Sequence, residues 1–212
     1  MKLSEIFLSI QGESSYAGLP CIFIRLSECN LRCNYCDSKF SYTPKFELTQ
    51  AQILEQIEKH NPVKLVEITG GEPLLQPEIY NLFDKLHQEN YTILLETNGS
   101  INLANIPDFV HKIVDIKCPD SAEGDSFLEN NINYINTERD EIKFVLSSPE
   151  DYIWMKKKLA QYKIENHKIL LSCVFDRLQP KQLVEWVIED KLAVRVQLQM
   201  HKYIWDPNKQ GV

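Results

Sequence analysis

The stretch CNLRCNYC at residues 29–36 places three of the chain's six cysteines within eight residues. This spacing directs three thiolates at one centre and provides no fourth cysteine beside them. A structural zinc site has four protein ligands, whereas a metal site that takes part in chemistry keeps one position open. Thiolates are also the usual ligands of iron–sulfur clusters. The stretch therefore predicts a metal centre completed by another group. We favour an iron–sulfur cluster, with zinc or a chance grouping of cysteines as the alternatives.

Length and composition describe an ordinary globular protein. We expect residues 1–212 to form a single domain around one core, since 43% of the residues are hydrophobic. A net charge of -7 disfavours nucleic-acid partners, because phosphate-binding faces need clustered Lys and Arg. No segment approaches the ~20 apolar residues of a membrane span, and the N-terminus has no signal-like core. We expect a cytoplasmic protein with no membrane partner, in which Cys21, Cys118 and Cys173 stay reduced and buried.

Short β-branched runs alternate with amphipathic stretches along the chain. A capping box at Thr49 and prolines 77, 149 and 180 predict helix starts, and the polar stretch 119–138 predicts a long loop. Such alternation implies a parallel sheet with helices outside it. The candidate strands are Cys21–Leu26, Val63–Ile68, Tyr91–Glu96, Ile113–Lys117, Ile142–Leu146, Ile169–Val174 and Val194–Leu198.

The residues that directly follow these strands are the candidates for ligand binding, because ligands of parallel α/β folds bind at the carboxyl ends of strands. The cysteine stretch follows the first candidate strand, TGGEP (69–73) the second and ETNG (96–99) the third, and Lys117 closes the fourth. Adjacent glycines allow a backbone to approach a ligand closely and to adopt positive φ. A tight turn before a helix starting at Pro73 is the plainer alternative.

Together, the cysteine spacing and the Gly-Gly-Glu-Pro motif resemble the radical S-adenosylmethionine (SAM) superfamily. The resemblance implies a truncated TIM-like β/α barrel with parallel strands, which agrees with a length below the ~250 residues of a full barrel. It implies that Cys29, Cys33 and Cys36 hold a 4Fe-4S cluster, whose fourth iron binds the amino and carboxylate groups of SAM. One electron then splits the sulfonium and gives a 5′-deoxyadenosyl radical. The resemblance also implies the residues around SAM: Tyr35, Asp37, Gly70, Gly71, Glu72, Asp115, Ile116, Lys117 and Ser172.

Flanking residues narrow the resemblance to the 7-carboxy-7-deazaguanine synthase family, over nearly the whole chain. They are Glu5-Ile6-Phe7, Gln11-Gly12-Glu13, Arg25, Cys36-Asp37-Ser38, Asp115-x-Lys117 and Gln199-x-His201-Lys202 near Trp205. The resemblance implies a lyase that converts 6-carboxy-5,6,7,8-tetrahydropterin to 7-carboxy-7-deazaguanine with loss of ammonia, on the route to queuosine and related 7-deazapurines. It further implies Mg²⁺ bound through Ser38, where some relatives carry Thr, a homodimer, and an electron donor such as flavodoxin or ferredoxin.

Substrate chemistry makes several roles plausible. A carboxypterin presents a carboxylate, onto which Arg25 can fork, and a guanidine-like donor edge, with which Glu13 and Gln11 can pair. The expected substrate-binding residues are Gln11, Gly12, Glu13, Arg25, Thr69 and His201. The structural alternatives are a surface ion pair for Arg25, a turn cap for Glu13, a helix cap for Ser38 and a structural role for His201.

The resemblance implies a mechanism that begins with hydrogen abstraction from the ring carbon that bears the carboxylate. Ring contraction and regeneration of SAM follow. No spacing singles out a general base among Glu72, Glu96 and Lys117. A glycyl-radical-activating enzyme is one alternative, against which the Gln11-Gly12-Glu13 and Arg25 constellation speaks. An electron carrier with Cys118 or Cys21 as fourth cluster ligand and a zinc-stabilised binding module are the others.

Overall fold

Nine strands form one sheet in the computed structural model, which describes residues 1–212, and their order is β3-β1-β2-β4-β5-β6-β7-β8-β9. The strands are β1 (Lys2–Ile10), β2 (Pro20–Leu26), β3 (Phe46–Glu47), β4 (Leu65–Gly70), β5 (Thr92–Thr97), β6 (Val110–Asp115), β7 (Glu141–Leu146), β8 (Lys168–Cys173) and β9 (Arg195–Val196). The helices are α1 (Gln50–Glu58), α2 (Ile79–Gln88), α3 (Pro149–Tyr162), α4 (Pro180–Glu189) and α5 (His201–Ile204). No helix has the length and apolar character needed to cross a membrane.

The strands from β2 through β4 to β9 pair in parallel, each with the next in this order. Helices α1, α2, α3 and α4 fall between successive strands of the chain, so the predicted β/α alternation and partial barrel are confirmed. The capping box at Thr49 is present, α3 begins at Pro149, and α4 begins at Pro180. Helix α2 begins at Ile79, two residues after Pro77.

Two strands that the sequence analysis did not predict, β1 and β3, extend the sheet at its N-terminal edge. Strand β1 pairs antiparallel with β2 and also with the short β3. Its register shifts between Leu3 and Glu5, which is the signature of a β-bulge. A bulge interrupts the strict alternation of inward and outward side chains, so the N-terminal segment lacks the period-two pattern that marks a strand.

The observed strand boundaries differ from the predicted ones by up to three residues, and β6 and β9 show the causes. Strand β6 begins three residues before the predicted Ile113, because the polar side chains at its start are buried beside carboxylates. His111 lies 3.3 Å from Glu141, and Lys112 lies 2.7 Å from Asp140. The last predicted strand is reduced to Arg195–Val196, since the chain then turns so that the Met200 N–H can donate to the carbonyl of Gly12 at 3.1 Å. The predicted loop 119–138 contains only short 3₁₀ segments.

Buried apolar side chains form two separate groups on opposite faces of the sheet. The larger has 36 buried residues, among them Ile53 and Ile57 of α1 and Ile22 and Val66 of the strands. The smaller consists of the alternate strand residues, which face the inside of the barrel: Cys21, Phe23, Leu65, Leu94 and Ile113, with Phe7 and Tyr16 packed against them. Period two in the strands sends neighbouring residues to opposite faces, so the larger group joins sheet to helices and the smaller one fills the barrel.

Candidate active site

A cavity of about 320 Å³ opens at the carboxyl ends of the parallel strands. Its volume lies within the range of small-molecule sites. Phe7, Phe23 and Ile113 form its apolar floor. Most of the residues predicted for the site line it: Gln11, Gly12, Glu13, Arg25, Cys29, Cys33, Tyr35, Cys36, Asp37, Ser38, Thr69, Gly70, Gly71, Asp115, Lys117 and His201.

The three cysteines of the loop after β2 are free, half-buried and line this cavity together. The Leu31 N–H donates to Cys29 Sγ at 3.4 Å. Burial raises the pKa of Cys29 and raises that of Cys33 to about 11, so these thiols need a bound metal to become thiolates. No three His, Cys, Asp or Glu side chains converge on a single-ion position. A cluster makes no such demand, because each thiolate binds a different iron, and half-buried thiols on one cavity wall fit it.

The glycine pair after β4 allows the turn to pack directly against the cysteine loop. Gly70 has φ +147°, and a Cβ there would lie 2.1 Å from the carbonyl oxygen of Leu26. A Cβ at Gly71 would lie 2.0 Å from the carbonyl oxygen of Glu28 and 2.9 Å from Cys29 Cβ. Any larger residue at Gly71 must therefore displace the backbone that carries the first cysteine.

Three of the residues predicted to contact SAM lie outside the cavity lining. The Glu72 carboxylate is fully buried and accepts hydrogen bonds from Leu74 N, Thr97 Oγ1 and Asn98 N, at 2.8 to 3.0 Å. Ile116 belongs to the larger apolar core, because it points away from the barrel interior. Ser172 is buried, and its hydroxyl has no partner within the protein. Glu72 therefore holds the turn after β4 to the end of β5 through its side chain.

Asp115 and Lys117 form an ion pair on the cysteine side of the cavity. Lys117 Nζ lies 2.6 Å from Asp115 Oδ2, while Asp115 Oδ1 is buried without a hydrogen-bond partner. Burial by itself lowers the pKa of Lys117, but the adjacent carboxylate outweighs it and raises that pKa above its ordinary value. The lysine is therefore charged, and one carboxylate oxygen remains available to a ligand.

Ser38 ends the cysteine loop with its hydroxyl uncommitted to a helix. It precedes a 3₁₀ helix at Lys39–Tyr42, but its side chain makes no capping hydrogen bond. The side-chain hydroxyl has Cys36 Sγ as its hydrogen-bond partner, 3.7 Å from Ser38 Oγ. The cap alternative is therefore not realised, and the hydroxyl oxygen is free to bind a cation.

A buried network that the sequence analysis missed crosses the cavity wall. Lys143 Nζ lies 2.7 Å from both Glu13 Oε2 and Glu96 Oε1, and only 5% of the Lys143 side chain is exposed. Thr69 Oγ1 donates to Glu96 Oε2 at 3.0 Å, and Gln199 Nε2 donates to Glu13 Oε1 at 2.9 Å. Burial raises the pKa of Glu96, but Lys143 outweighs it and lowers the pKa to about 2. Ion pairs and hydrogen bonds thus join the N-terminal loop, β4, β5, β7 and the C-terminal segment.

Glu67 is the second site residue that the sequence analysis missed. It lines the cavity, and its carboxylate accepts a hydrogen bond from the Gln11 side-chain amide. A charged residue at the centre of an apolar strand would have signalled both Glu67 and Lys143, since such a residue is buried only with partners.

Arg25 reaches the cavity from the end of β2. Its Nε donates to Glu5 Oε1 at 2.7 Å, and its guanidinium carbon lies 5.8 Å from the centre of the Phe40 ring. Its two terminal nitrogens make no hydrogen bond within the protein. The guanidinium is therefore held in place by one nitrogen and presents the other two to a ligand.

The C-terminal segment closes one side of the cavity. A Cβ at Gly12 would lie 2.4 Å from His201 Nδ1, so the histidine ring packs against the glycine. Burial lowers the pKa of His201 below its ordinary value, which keeps the ring neutral near pH 7. Lys202 Nζ lies 2.7 Å from Asp37 Oδ2 and so ties this segment to the cysteine loop. Residues 207–212 also line the cavity.

Comparisons with known proteins agree with this geometry. The family model of the radical SAM superfamily matches residues 24–176. The 7-carboxy-7-deazaguanine synthase of Koribacter versatilis is 43% identical over 227 aligned positions, which cover all of both chains. The protein of the same name from Chlorobaculum tepidum is 40% identical and covers 100% of this chain and 97% of its own. The crystal structure of QueE from Escherichia coli superposes with a TM-score of 0.77 at 23% identity over 94% of each chain, a similarity of fold.

Proposed function

Because this chain belongs to the 7-carboxy-7-deazaguanine synthase family of the radical SAM superfamily, we propose that it converts 6-carboxy-5,6,7,8-tetrahydropterin to 7-carboxy-7-deazaguanine with release of ammonia. The observation that carries this proposal is the single cavity that both the three cysteines and Arg25 line. A radical generated at one wall can then reach a substrate bound at the other without leaving the cavity.

The cysteine wall is the cofactor side. Cys29, Cys33 and Cys36 hold the 4Fe-4S cluster, and the Gly70-Gly71 turn supplies backbone beside it for SAM. When bound, the cluster and SAM together supply the radical that abstracts hydrogen from the substrate. Lys117 and Asp115 flank this side with a fixed ion pair.

The substrate side uses the free nitrogens of Arg25 for the pterin carboxylate. A guanidinium and a carboxylate can form two parallel hydrogen bonds, and such charge-assisted bonds are strong in a half-buried site. Lys143 keeps Glu13 and Glu96 in fixed orientations, which limits reorganisation when the substrate binds. Neutral His201 and the Thr69 hydroxyl offer further hydrogen bonds to the ring.

Ser38 is proposed as the protein ligand of Mg²⁺. Magnesium prefers oxygen ligands and keeps several waters, so one hydroxyl together with substrate oxygens is a sufficient shell. The absence of a capping bond at Ser38 supports the assignment.

The partners follow from the family. They are the small-molecule pterin, a soluble electron donor such as flavodoxin or ferredoxin, and a second copy of the chain in a homodimer, all in the cytoplasm. The electron-carrier alternative is not favoured, because Cys21 and Cys118 are fully buried in apolar clusters and neither lines the cavity. The glycyl-radical-activating alternative is not favoured, because the relatives that match the whole length of the chain are 7-carboxy-7-deazaguanine synthases.

Product formation tests the proposal directly. Anaerobically reconstituted protein is incubated with carboxytetrahydropterin, SAM, Mg²⁺ and a reductant, and 7-carboxy-7-deazaguanine is identified by mass spectrometry. Arg25→Ala should weaken substrate affinity about ten- to hundredfold, since charge-assisted bonds contribute roughly 1.5–3 kcal/mol each. Iron content and SAM binding should stay at the wild-type level. Arg195→Ala is the matched control, because Arg195 is exposed and does not line the cavity. Absence of product from iron-loaded wild type refutes the proposal.

A further inference from the structure

Glu67 occupies an unusual position for a carboxylate. It lies on β4, faces the barrel interior and is only 5% exposed. Its register partners on the neighbouring strands are Phe23 of β2 and Leu94 of β5, both members of the smaller apolar cluster. A carboxylate buried among such side chains is costly unless hydrogen bonds compensate it.

Only one of the two Glu67 oxygens has a partner in the protein. Oε2 accepts from Gln11 Nε2, while Oε1 accepts no hydrogen bond. Gln11 is itself fixed, because its Oε1 accepts from the backbone N–H of Glu13 at 3.1 Å. Since Glu67 lines the cavity, the oxygen that remains is left for a ligand.

The two carboxylates that contact Lys143, those of Glu13 and Glu96, are committed. Both oxygens of Glu13 are occupied, by Lys143 and Gln199, and both oxygens of Glu96 are occupied, by Lys143 and Thr69. Asp115 has a free oxygen, but it lies beside Lys117 on the cysteine side. Glu5 and Asp37 also keep one oxygen without a hydrogen bond, but Arg25 and Lys202 form ion pairs with their other oxygens. Glu67 is therefore the side-chain carboxylate of the cavity that has a free oxygen and no ion-pair partner.

Arg25 and Glu67 form a pair of opposite charges on one face of adjacent strands. Arg25 is the register partner of Thr69, two residues beyond Glu67 on the same face of β4. Two residues along a strand span roughly 7 Å. The arginine thus lies near the rim of the cavity and the carboxylate lies one layer deeper.

A 6-carboxypterin has the matching asymmetry. Its carboxylate is at one end, and its 2-aminopyrimidinone ring carries two adjacent N–H donors at the other, on N3 and on the 2-amino group. Each carboxylate oxygen can accept two hydrogen bonds, so Oε1 and the second lone pair of Oε2 can together accept from the two adjacent donors. We propose that Glu67, held by Gln11, binds the 2-aminopyrimidinone edge and is the residue that selects a substrate with a 2-amino group. This inference rests on the proposed function.

The electrostatics around Glu67 agree with this role. Burial, together with the nearby charge of Glu96, raises the pKa of Glu67 to about 8. The positive charge of Lys143 lowers this pKa and the negative charge of Glu13 raises it, and each has a smaller effect than Glu96. The protein alone therefore leaves this carboxylate short of hydrogen-bond donors, and a ligand with two N–H groups supplies them.

Two non-reactive analogues test the inference by equilibrium binding. Pterin-6-carboxylate keeps the 2-amino group, whereas lumazine-6-carboxylate has an oxygen there, which a carboxylate repels. Iron-loaded wild type should prefer the pterin by about ten- to hundredfold. Glu67→Gln, which is isosteric, should bring the two affinities to within about threefold. Glu67→Asp, which withdraws the carboxylate by one methylene, should lower the preference to an intermediate value.

The control is Glu141→Gln, because Glu141 is a fully buried carboxylate inside the barrel that does not line the cavity. It should keep the wild-type preference. If either folded Glu67 variant keeps that preference, the inference is overturned while the proposed function stands on product formation. If wild type binds neither analogue or binds both equally, the inference is overturned, and the proposed function is decided separately by product formation. If Glu67→Gln does not fold, the comparison of analogue preference between Glu67→Asp and wild type decides.

Discussion

Replacing Gly71 by Ala should damage the metal site through the backbone alone. The added Cβ would lie 2.0 Å from the Glu28 carbonyl oxygen, and ordinary contact begins at 3.4 Å, so one segment must move by about 1.4 Å. That movement breaks two backbone hydrogen bonds, Gly71 N–H to the Leu26 carbonyl at 3.1 Å and Glu72 N–H to the Glu28 carbonyl at 2.8 Å. At about 0.5–1.5 kcal/mol each, the loss of unfolding free energy is roughly 1–3 kcal/mol.

For a chain of this length, such a loss lowers the Tm by roughly 2–12 °C. The displaced segment carries Cys29, so iron and sulfide per chain after anaerobic reconstitution should fall well below the wild-type values. Thermal unfolding and colorimetric iron and sulfide assays measure both effects. Gly18→Ala is the control, since Gly18 has φ +92° and nothing within 4 Å of an added Cβ. It should lose about 1 kcal/mol to backbone strain and keep its iron. Gly71→Ala with wild-type Tm and iron would falsify the steric reasoning.

Three further outcomes are expected. Cys33→Ser should abolish the cluster in iron and sulfide assays, whereas Cys118→Ser should keep it, because Cys118 lies in the larger apolar core; loss of iron in Cys118→Ser would contradict the assignment of ligands. Ser38→Ala should lower the stimulation of turnover by Mg²⁺ relative to chelator, and an unchanged response would show that the hydroxyl is not a ligand. Glu67→Gln should gain stability relative to wild type as the pH rises from about 5 to 8. The pKa of Glu67 is raised from 4.5 to about 8, so in this window the native state binds the proton that the unfolded state releases, and wild type loses up to roughly 1.4 kcal/mol per pH unit. Urea unfolding of both proteins at pH 5 and pH 8 measures the difference, and a pH-independent difference would contradict the raised pKa.

The grouping of the three cysteines with the Gly70-Gly71 turn at one cavity could be predicted from the sequence, because its elements are local. Cysteines with three and two residues between them fix their own spacing, and two glycines after a strand are visible without knowing what they pack against. The structure supplies the reason for the glycines, since Gly71 contacts Glu28 and Cys29, which are more than forty residues away. Such a contact leaves no trace in a local pattern.

The substrate side was predicted only in part, because its residues depend on long-range pairing. Glu67 and Lys143 lie inside apolar strands, where attention falls on the apolar neighbours that define the strand. Their burial depends on partners far along the chain, Gln11 for Glu67 and Glu13 for Lys143. The N-terminal strand was missed for a related reason, since its bulge breaks the alternation that would reveal it.

The separation of the two apolar groups bears on how this scaffold can evolve. Substitutions among Phe7, Phe23 and Ile113 would reshape the floor beneath the ligand, while the 36-residue core between sheet and helices stays untouched. A misfitting side chain inside a barrel typically costs about 1–3 kcal/mol, and the effects of distant sites add nearly independently. Variation in substrate shape and improvement of the scaffold can therefore be selected one after the other. In a directed-evolution library, stabilising changes in the outer layer would come first, and diversity at the floor would follow on that background.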